Sequence, residues 1–158
     1  MPTDFFFLVG QIVTEKKYFH CSLGDISQHL EADGHCEVEA EHHTEDDYST
    51  VHTVLLRLNI SCKNKTNTTS WSVALKLHNI RIDGIDSEPV YPGMDGTLYQ
   101  GWHRHVWNHR HQSAERNKIP VADLDVIKGR DHFLNIVFNL MGILLDRNDH
   151  GPDELQFD

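Results

Sequence analysis

The sequence has no long hydrophobic run and few of the residues that interrupt regular structure. Its 158 residues include five prolines and ten glycines. No stretch approaches the roughly 18 consecutive apolar residues of a membrane span. The apolar stretch 5–9 follows Asp4 and has no basic region before it, so it is not a convincing signal peptide. We therefore predict one cytoplasmic globular domain over residues 1–150, without membrane contact, followed by an acidic tail at 151–158 that is expected to fray.

Cysteine is also scarce. The three residues Cys21, Cys36 and Cys62 are an odd number, and none forms a Cys-x-x-Cys pair. A disulfide framework and a zinc knuckle are both disfavoured by that pattern. We interpret the cysteines as small reduced side chains, and a chain of this length needs no disulfide to bury a core.

Basic residues are few and unevenly placed. The chain carries 14 basic and 24 acidic residues, and residues 1–60 alone hold 11 acidic and 3 basic ones, a net charge of −8. Only Arg104, Arg110, Arg116 and Lys118 form a basic group, which disfavours a surface for duplex DNA. The acidity favours solubility, and it also suits a basic protein partner.

A two-residue period predicts a sheet in the first half of the chain. Apolar residues alternate with polar ones over 36–41, 54–60 and 71–77, with polar stretches between them. Such segments are typical of antiparallel strands with one buried and one solvated face. In the first of them, Glu37, Glu39 and Glu41 share the solvated face, and we predict that they form an interaction surface.

A helix is predicted near the carboxyl end. Asp131 is a good N-cap residue, and apolar side chains recur at helical spacing over residues 132–145. So apolar a helix is expected to be buried against the sheet or against a second copy in a homodimer. The predicted fold class is therefore α+β, with an antiparallel meander of three or more strands and one long, mostly buried C-terminal helix.

Residues 99–118 concentrate histidine, arginine and tryptophan, and the meaning of that cluster depends on the backbone. If the segment is a strand, His103, His105, His109 and His111 share one face. If it is a helix, only His105 and His109 are neighbours, and a loop would disperse the cluster. The sequence leaves these alternatives open, and semi-buried histidines held by hydrogen bonds are the plain structural interpretation.

Two kinds of chemistry fit the strand alternative. His103, His105, His109 and His111 are candidate metal ligands, because a His-x-His pair on a strand presents two nitrogens to one ion; a divalent transition metal such as zinc fits them, although the pattern names no cofactor. The same histidines with Arg104 and Arg110 are candidate catalytic residues for RNA phosphodiesters, as in a toxin-like nuclease. Tyr99, Trp102 and Trp107 would then stack on unpaired bases.

Two functional hypotheses of different class follow. The first is a metal-binding or RNA-directed site within 103–111. The second is a non-enzymatic interaction module that uses the acidic face and the apolar helix. The sequence does not decide whether the protein is an enzyme, and no motif assigns it to a family.

Overall fold

A computed structural model describes residues 3–65, 68–92, 98–108, 110, 112–114, 118–121 and 129–147. The elements within these ranges are three helices and eight strands. In chain order they are α1 (Thr3–Thr14), β1 (Lys17–Ser22), α2 (Leu23–Asp33), β2 (His35–Glu45), β3 (Val51–Lys65), β4 (Thr68–Leu77), β5 (Ile80–Pro92), β6 (Leu98–Val106), β7 (Lys118–Pro120), α3 (Arg130–Met141) and β8 (Ile143–Asp146).

The main sheet is antiparallel and follows chain order from β2 to β7. Five strands are long, and β7 has only three residues. Alternate residues of β3 and β4 form part of the hydrophobic core. Leu56, Leu58 and Leu75 lie on the same face of the sheet and are fully buried. The turn between β4 and β5 uses His78 and Asn79, both at positive φ, as a tight hairpin turn requires.

A second, parallel sheet of two strands joins the two ends of the described chain. β1 pairs with β8, from Lys17 opposite Ile143 to Ser22 opposite Asp146. α2 follows β1 directly, and its start is set by a capping box in which the Ser22 hydroxyl accepts from the Asp25 backbone and the Asp25 carboxylate accepts from the Ser22 backbone.

The predicted fold class is wrong. It proposed one long C-terminal helix, whereas the described residues contain three short helices, and the late one, α3, ends at Met141. The helix begins after Gly129, so Asp131 is not its N-cap, and it stops because Gly142 adopts the left-handed conformation at φ 70°. Residues 143–145, which the sequence predicts to be helical, lie instead in β8 and pair with β1.

The fold is a small α+β single domain, with an extensive antiparallel sheet as its main component. The tail at 151–158 lies outside the described residues, and the domain limit near residue 150 stays a prediction. No helix in the described part of the chain is both long and apolar enough to cross a membrane.

Charged groups are buried on the core side of this sheet. Asp83 is fully buried and is bound by Arg104 through two bonds, Nε to Oδ1 at 2.9 Å and Nη2 to Oδ2 at 2.7 Å. Lys17 is also fully buried, and its Nζ donates to the carbonyl oxygens of Ile12 and Glu15 at 2.7 Å each. Lys17 therefore satisfies carbonyl groups at the carboxyl end of α1, where a cation is favoured.

Candidate metal site

Residues 98–106 form strand β6, and this strand positions the histidines of the candidate site. On β6, His103 and His105 share the face opposite to the core-facing side chains of Trp102 and Arg104. The register with β5 places Asp86 opposite His103. Opposite residues of an antiparallel pair point to the same face, so a carboxylate joins the two imidazoles.

The three side chains meet at their tips. The Nε2 atoms of His103 and His105 are 2.9 Å apart, and His105 Nε2 is 3.2 Å from Asp86 Oδ2. All three potential ligand atoms lie within 4.8 Å of one another. One carboxylate oxygen and two imidazole nitrogens therefore converge on a single point.

This cluster is covered although it lies on the outer face of the sheet. His103 is fully buried and His105 is 3 % exposed. The chain after β6 turns back, with a bridge between Asn108 and Ser113, and it brings Ala114 over the cluster at 1 % exposure. We call residues 112–114 the return segment. β7 then pairs alongside β6 and continues the sheet next to the histidines.

The return segment also orients one of the rings. His105 Nδ1 lies 3.3 Å from the carbonyl oxygen of Ala114. A carbonyl oxygen can only accept, so Nδ1 carries the proton and donates it. In neutral His105 the Nε2 atom is then a bare lone pair directed at Asp86 and at His103. Two acceptors facing each other are unfavourable, and a metal ion bound between them would remove that repulsion.

Asp86 is held as a carboxylate. Its Oδ1 accepts from Ser72 Oγ at 2.6 Å and from Arg81 Nη2 at 3.0 Å, and its Oδ2 accepts from Arg81 Nη1 at 2.9 Å. Burial would raise the pKa of Asp86, but hydrogen bonds from Arg81 and Ser72, the charge of Arg81 and, when the His105 Nε2 carries a proton, a hydrogen bond from His105 outweigh it and hold the pKa well below the usual range. The carboxylate is therefore ionised at neutral pH and has a fixed orientation.

A glycine makes room for this arrangement. A Cβ atom on Gly84 would lie 2.4 Å from Arg81 Nη2 and 2.4 Å from the carbonyl oxygen of Val73. Only a residue without a side chain lets the guanidinium lie across the sheet surface and reach Asp86.

The structure places the two predicted catalytic arginines apart from the cluster. Arg104 lies on the opposite face of β6, bound to Asp83, and Arg110 is exposed in a turn. His109 and His111 lie outside the described residues. Of the four predicted histidines, the structure thus brings together His103 and His105, and the catalytic role of the whole set stays a prediction.

The predicted base-stacking residues pack within the protein. The Trp102 ring lies 5.1 Å from the Phe133 ring and 6.4 Å from that of Trp71, measured between centroids. The Trp107 ring is 9 % exposed and contacts Phe5 and Phe6 of α1. The side chain of Tyr99 lies outside what the structure describes. RNA stacking therefore stays a prediction, and these contacts lend it no support.

The acidic residues of β2 lie on an exposed row at the edge of the main sheet. Glu37, Glu39 and Glu41 are all exposed. Arg57 of β3 binds two of them, with its Nε 2.9 Å from Glu37 and its Nη2 3.3 Å from Glu39. One positive charge thus offsets part of the row, and an interaction with a basic partner stays a prediction.

Sequence reasoning missed Asp86 and Arg81. Pro89 and Pro92 follow these residues closely and are typical of a loop, whereas β5 continues to Pro92. The chain separates Asp86 from His103 by seventeen positions, and only strand pairing brings them together. A usable signal was Asp86, an acidic residue three positions before Pro89, but the register with β6 was needed to interpret it.

Comparison with known proteins adds no identification. No protein-family model matches the chain, and neither a curated protein nor a solved structure does. The geometry of this site is therefore the basis for its function.

Proposed function

We propose that this protein binds a divalent transition-metal ion through Asp86, His103 and His105. The observation that carries the proposal is the convergence of the three ligand atoms within 4.8 Å of one another. Two imidazole nitrogens and one carboxylate oxygen are a donor set that transition metals use widely.

The distances suit bonds of ordinary length. If both nitrogens bind at about 2.1 Å, the 2.9 Å between them corresponds to an angle near 90° at the metal. The 3.2 Å between His105 Nε2 and Asp86 Oδ2 corresponds to about 100°. These angles lie between octahedral and tetrahedral values, so they admit zinc as well as six-coordinate iron, cobalt or nickel.

The surroundings of the ligands support the same conclusion. Histidines that bind metals usually donate their second ring nitrogen to a carbonyl or carboxylate, and His105 donates its Nδ1 proton to Ala114. Ligating carboxylates are hydrogen-bonded in turn, and Asp86 is held by Ser72 and Arg81. An ion at the point of convergence would also replace the opposed lone pairs of His105 and Asp86 by two attractive contacts.

The test is metal binding by untagged protein. After treatment with a chelator, the protein is titrated with Zn²⁺, Co²⁺ and Ni²⁺ by calorimetry, and Co²⁺ absorption reports the ligand set. We expect one ion per chain in the wild type. His103→Ala and His105→Ala are each expected to weaken binding by at least roughly tenfold to a hundredfold, as for a lost metal contact.

His35→Ala is the matched control, because His35 is an exposed histidine of β2 at the far edge of the sheet. It should bind the ion as the wild type does. If the wild type binds no ion, or if it binds one equally well without His103 and His105, the proposal is wrong. The second result would mean that the metal is held by other residues, and the first that the cluster shares a proton instead.

A further inference from the structure

The candidate site is closed on the side away from the sheet. His103 and His105 are almost without exposure, and Ala114 of the return segment is 1 % exposed directly beside them. β7 pairs with the same strand, with Pro120 opposite His103 and Lys118 opposite His105. An ion held at this site would therefore lie beneath the return segment, out of reach of a substrate that approaches from solvent.

Among the described residues, two contacts that contribute to this closure connect the chain on either side of the turn after β6 and connect Ala114 to the cluster. Asn108 N donates to Ser113 O at 3.1 Å, and the Ala114 carbonyl meets His105. β7 has three residues, and its described pairing with β6 covers three positions. Strands that short add little stability by themselves, so the docking of the return segment depends on what lies beneath it.

From this arrangement we infer that the metal ion is structural, and that its binding locks the return segment and β7 onto the sheet. The inference rests on the proposed metal site. The link is His105, which would bind the ion through Nε2 while Nδ1 holds Ala114. A bound ion would fix the orientation of the His105 imidazole. Its Nδ1–H would then stay in place to donate to the Ala114 carbonyl oxygen. Binding and docking then stabilise each other, and the coupling must be equal in both directions.

Hydrogen exchange measured by mass spectrometry tests the first direction. The metal-free protein is compared with the protein at a free Zn²⁺ concentration 100 times its dissociation constant. Openings that release the ion become rarer by about 100-fold under that condition. We therefore expect exchange in the peptides covering the return segment and β7 to slow by up to that factor. Exchange in β2, at the opposite edge of the sheet and open to local fraying, should change by less than about twofold.

A variant of the return segment tests the reverse direction. Ala114→Leu places a larger side chain at a position that is 1 % exposed, so it should loosen the docked segment without replacing a ligand. The coupling then predicts zinc affinity lower by roughly tenfold, within the usual range for linked sites. Ala32→Leu makes the same change at an exposed position of α2, and it should leave zinc affinity unchanged.

The outcomes separate this inference from the metal proposal. If zinc binds through His103 and His105 but exchange slows nowhere near β7, or if Ala114→Leu binds zinc like the wild type, the structural role is wrong and the metal site stands. If zinc does not bind, both are wrong. The structural role is supported if zinc slows exchange in the return segment and β7, and if Ala114→Leu weakens zinc binding while Ala32→Leu does not.

Discussion

The buried ion pair of Asp83 and Arg104 provides the sharpest test of the fold. Arg104→Met keeps most of the side-chain volume and removes two of the three hydrogen bonds that the described residues make to Asp83, at 2.9 and 2.7 Å. The remaining one, from Gly84 N at 2.8 Å, cannot balance a carboxylate that has no exposed surface. Breaking such a buried pair by removing one partner typically lowers the free energy of unfolding by about 3–5 kcal/mol.

Two features place the expected cost at the lower end. The Arg104 side chain is 23 % exposed, so water already screens part of the attraction. Lys17 also interacts with Asp83 electrostatically and would compensate some of the lost charge. We therefore expect the unfolding free energy to fall by about 3 kcal/mol. For a domain of this size, that loss lowers the melting temperature by roughly 6–12 °C.

The measurement is urea unfolding of four proteins: the wild type, Arg104→Met, Asp83→Asn, and the double variant. Asn at position 83 retains an oxygen for the Gly84 N–H but has no charge. The double variant should recover at least about 1.5 kcal/mol relative to Arg104→Met, because no buried charge is left without a partner.

Arg57→Met is the matched control for this experiment. Arg57 is 37 % exposed and pairs with the exposed Glu37 and Glu39, so its loss should cost less than about 1 kcal/mol. If Arg104→Met costs no more than Arg57→Met, the argument from burial fails. A double variant that is less stable than Arg104→Met would refute it as well.

Three further predictions concern other groups. Gly84→Ala should cost at least roughly 1–3 kcal/mol in urea unfolding, because its Cβ would lie 2.4 Å from the Val73 carbonyl oxygen; a neutral result would contradict the backbone geometry. Burial lowers the pKa of Lys17 to about 8, against an opposing effect of Asp83, so the unfolded chain binds the extra proton between pH 8 and 10.5. The free energy of unfolding of the wild type should therefore rise over that pH range by up to about 3 kcal/mol relative to that of Lys17→Met. Parallel curves of unfolding free energy against pH for the two proteins would count against this prediction. The pKa of Asp86 is lower in the folded protein, so its ionised carboxylate stabilises the fold above the unfolded pKa near 4, and this stabilisation is lost as the pH falls toward the folded pKa. A variant without Arg81 should therefore unfold in acid at a higher pH than the wild type.

The periodic parts of the chain were the most accessible to prediction. The alternation around Glu37 and Glu39 lies within β2, and the residues 54–60 and 71–77 lie within β3 and β4. In these segments the period of burial and the period of the backbone agree, so local sequence suffices. The ends of elements were less accessible: residues 143–145 are apolar enough to extend the helix, and only pairing with β1 makes 143–146 a strand.

By itself, the sequence determined that this is a small α+β protein with sheet-forming segments and a histidine-rich stretch, because side-chain period and composition are local properties. The tertiary structure alone decided which charged residues meet. It placed Asp86 beside His103 and His105 and set Arg104 on the opposite face with Asp83, although Asp83 is three positions from Asp86 and Arg104 lies between the two histidines. Strand register and the two faces of a sheet produce that separation, since a shift of one residue moves a side chain to the other face.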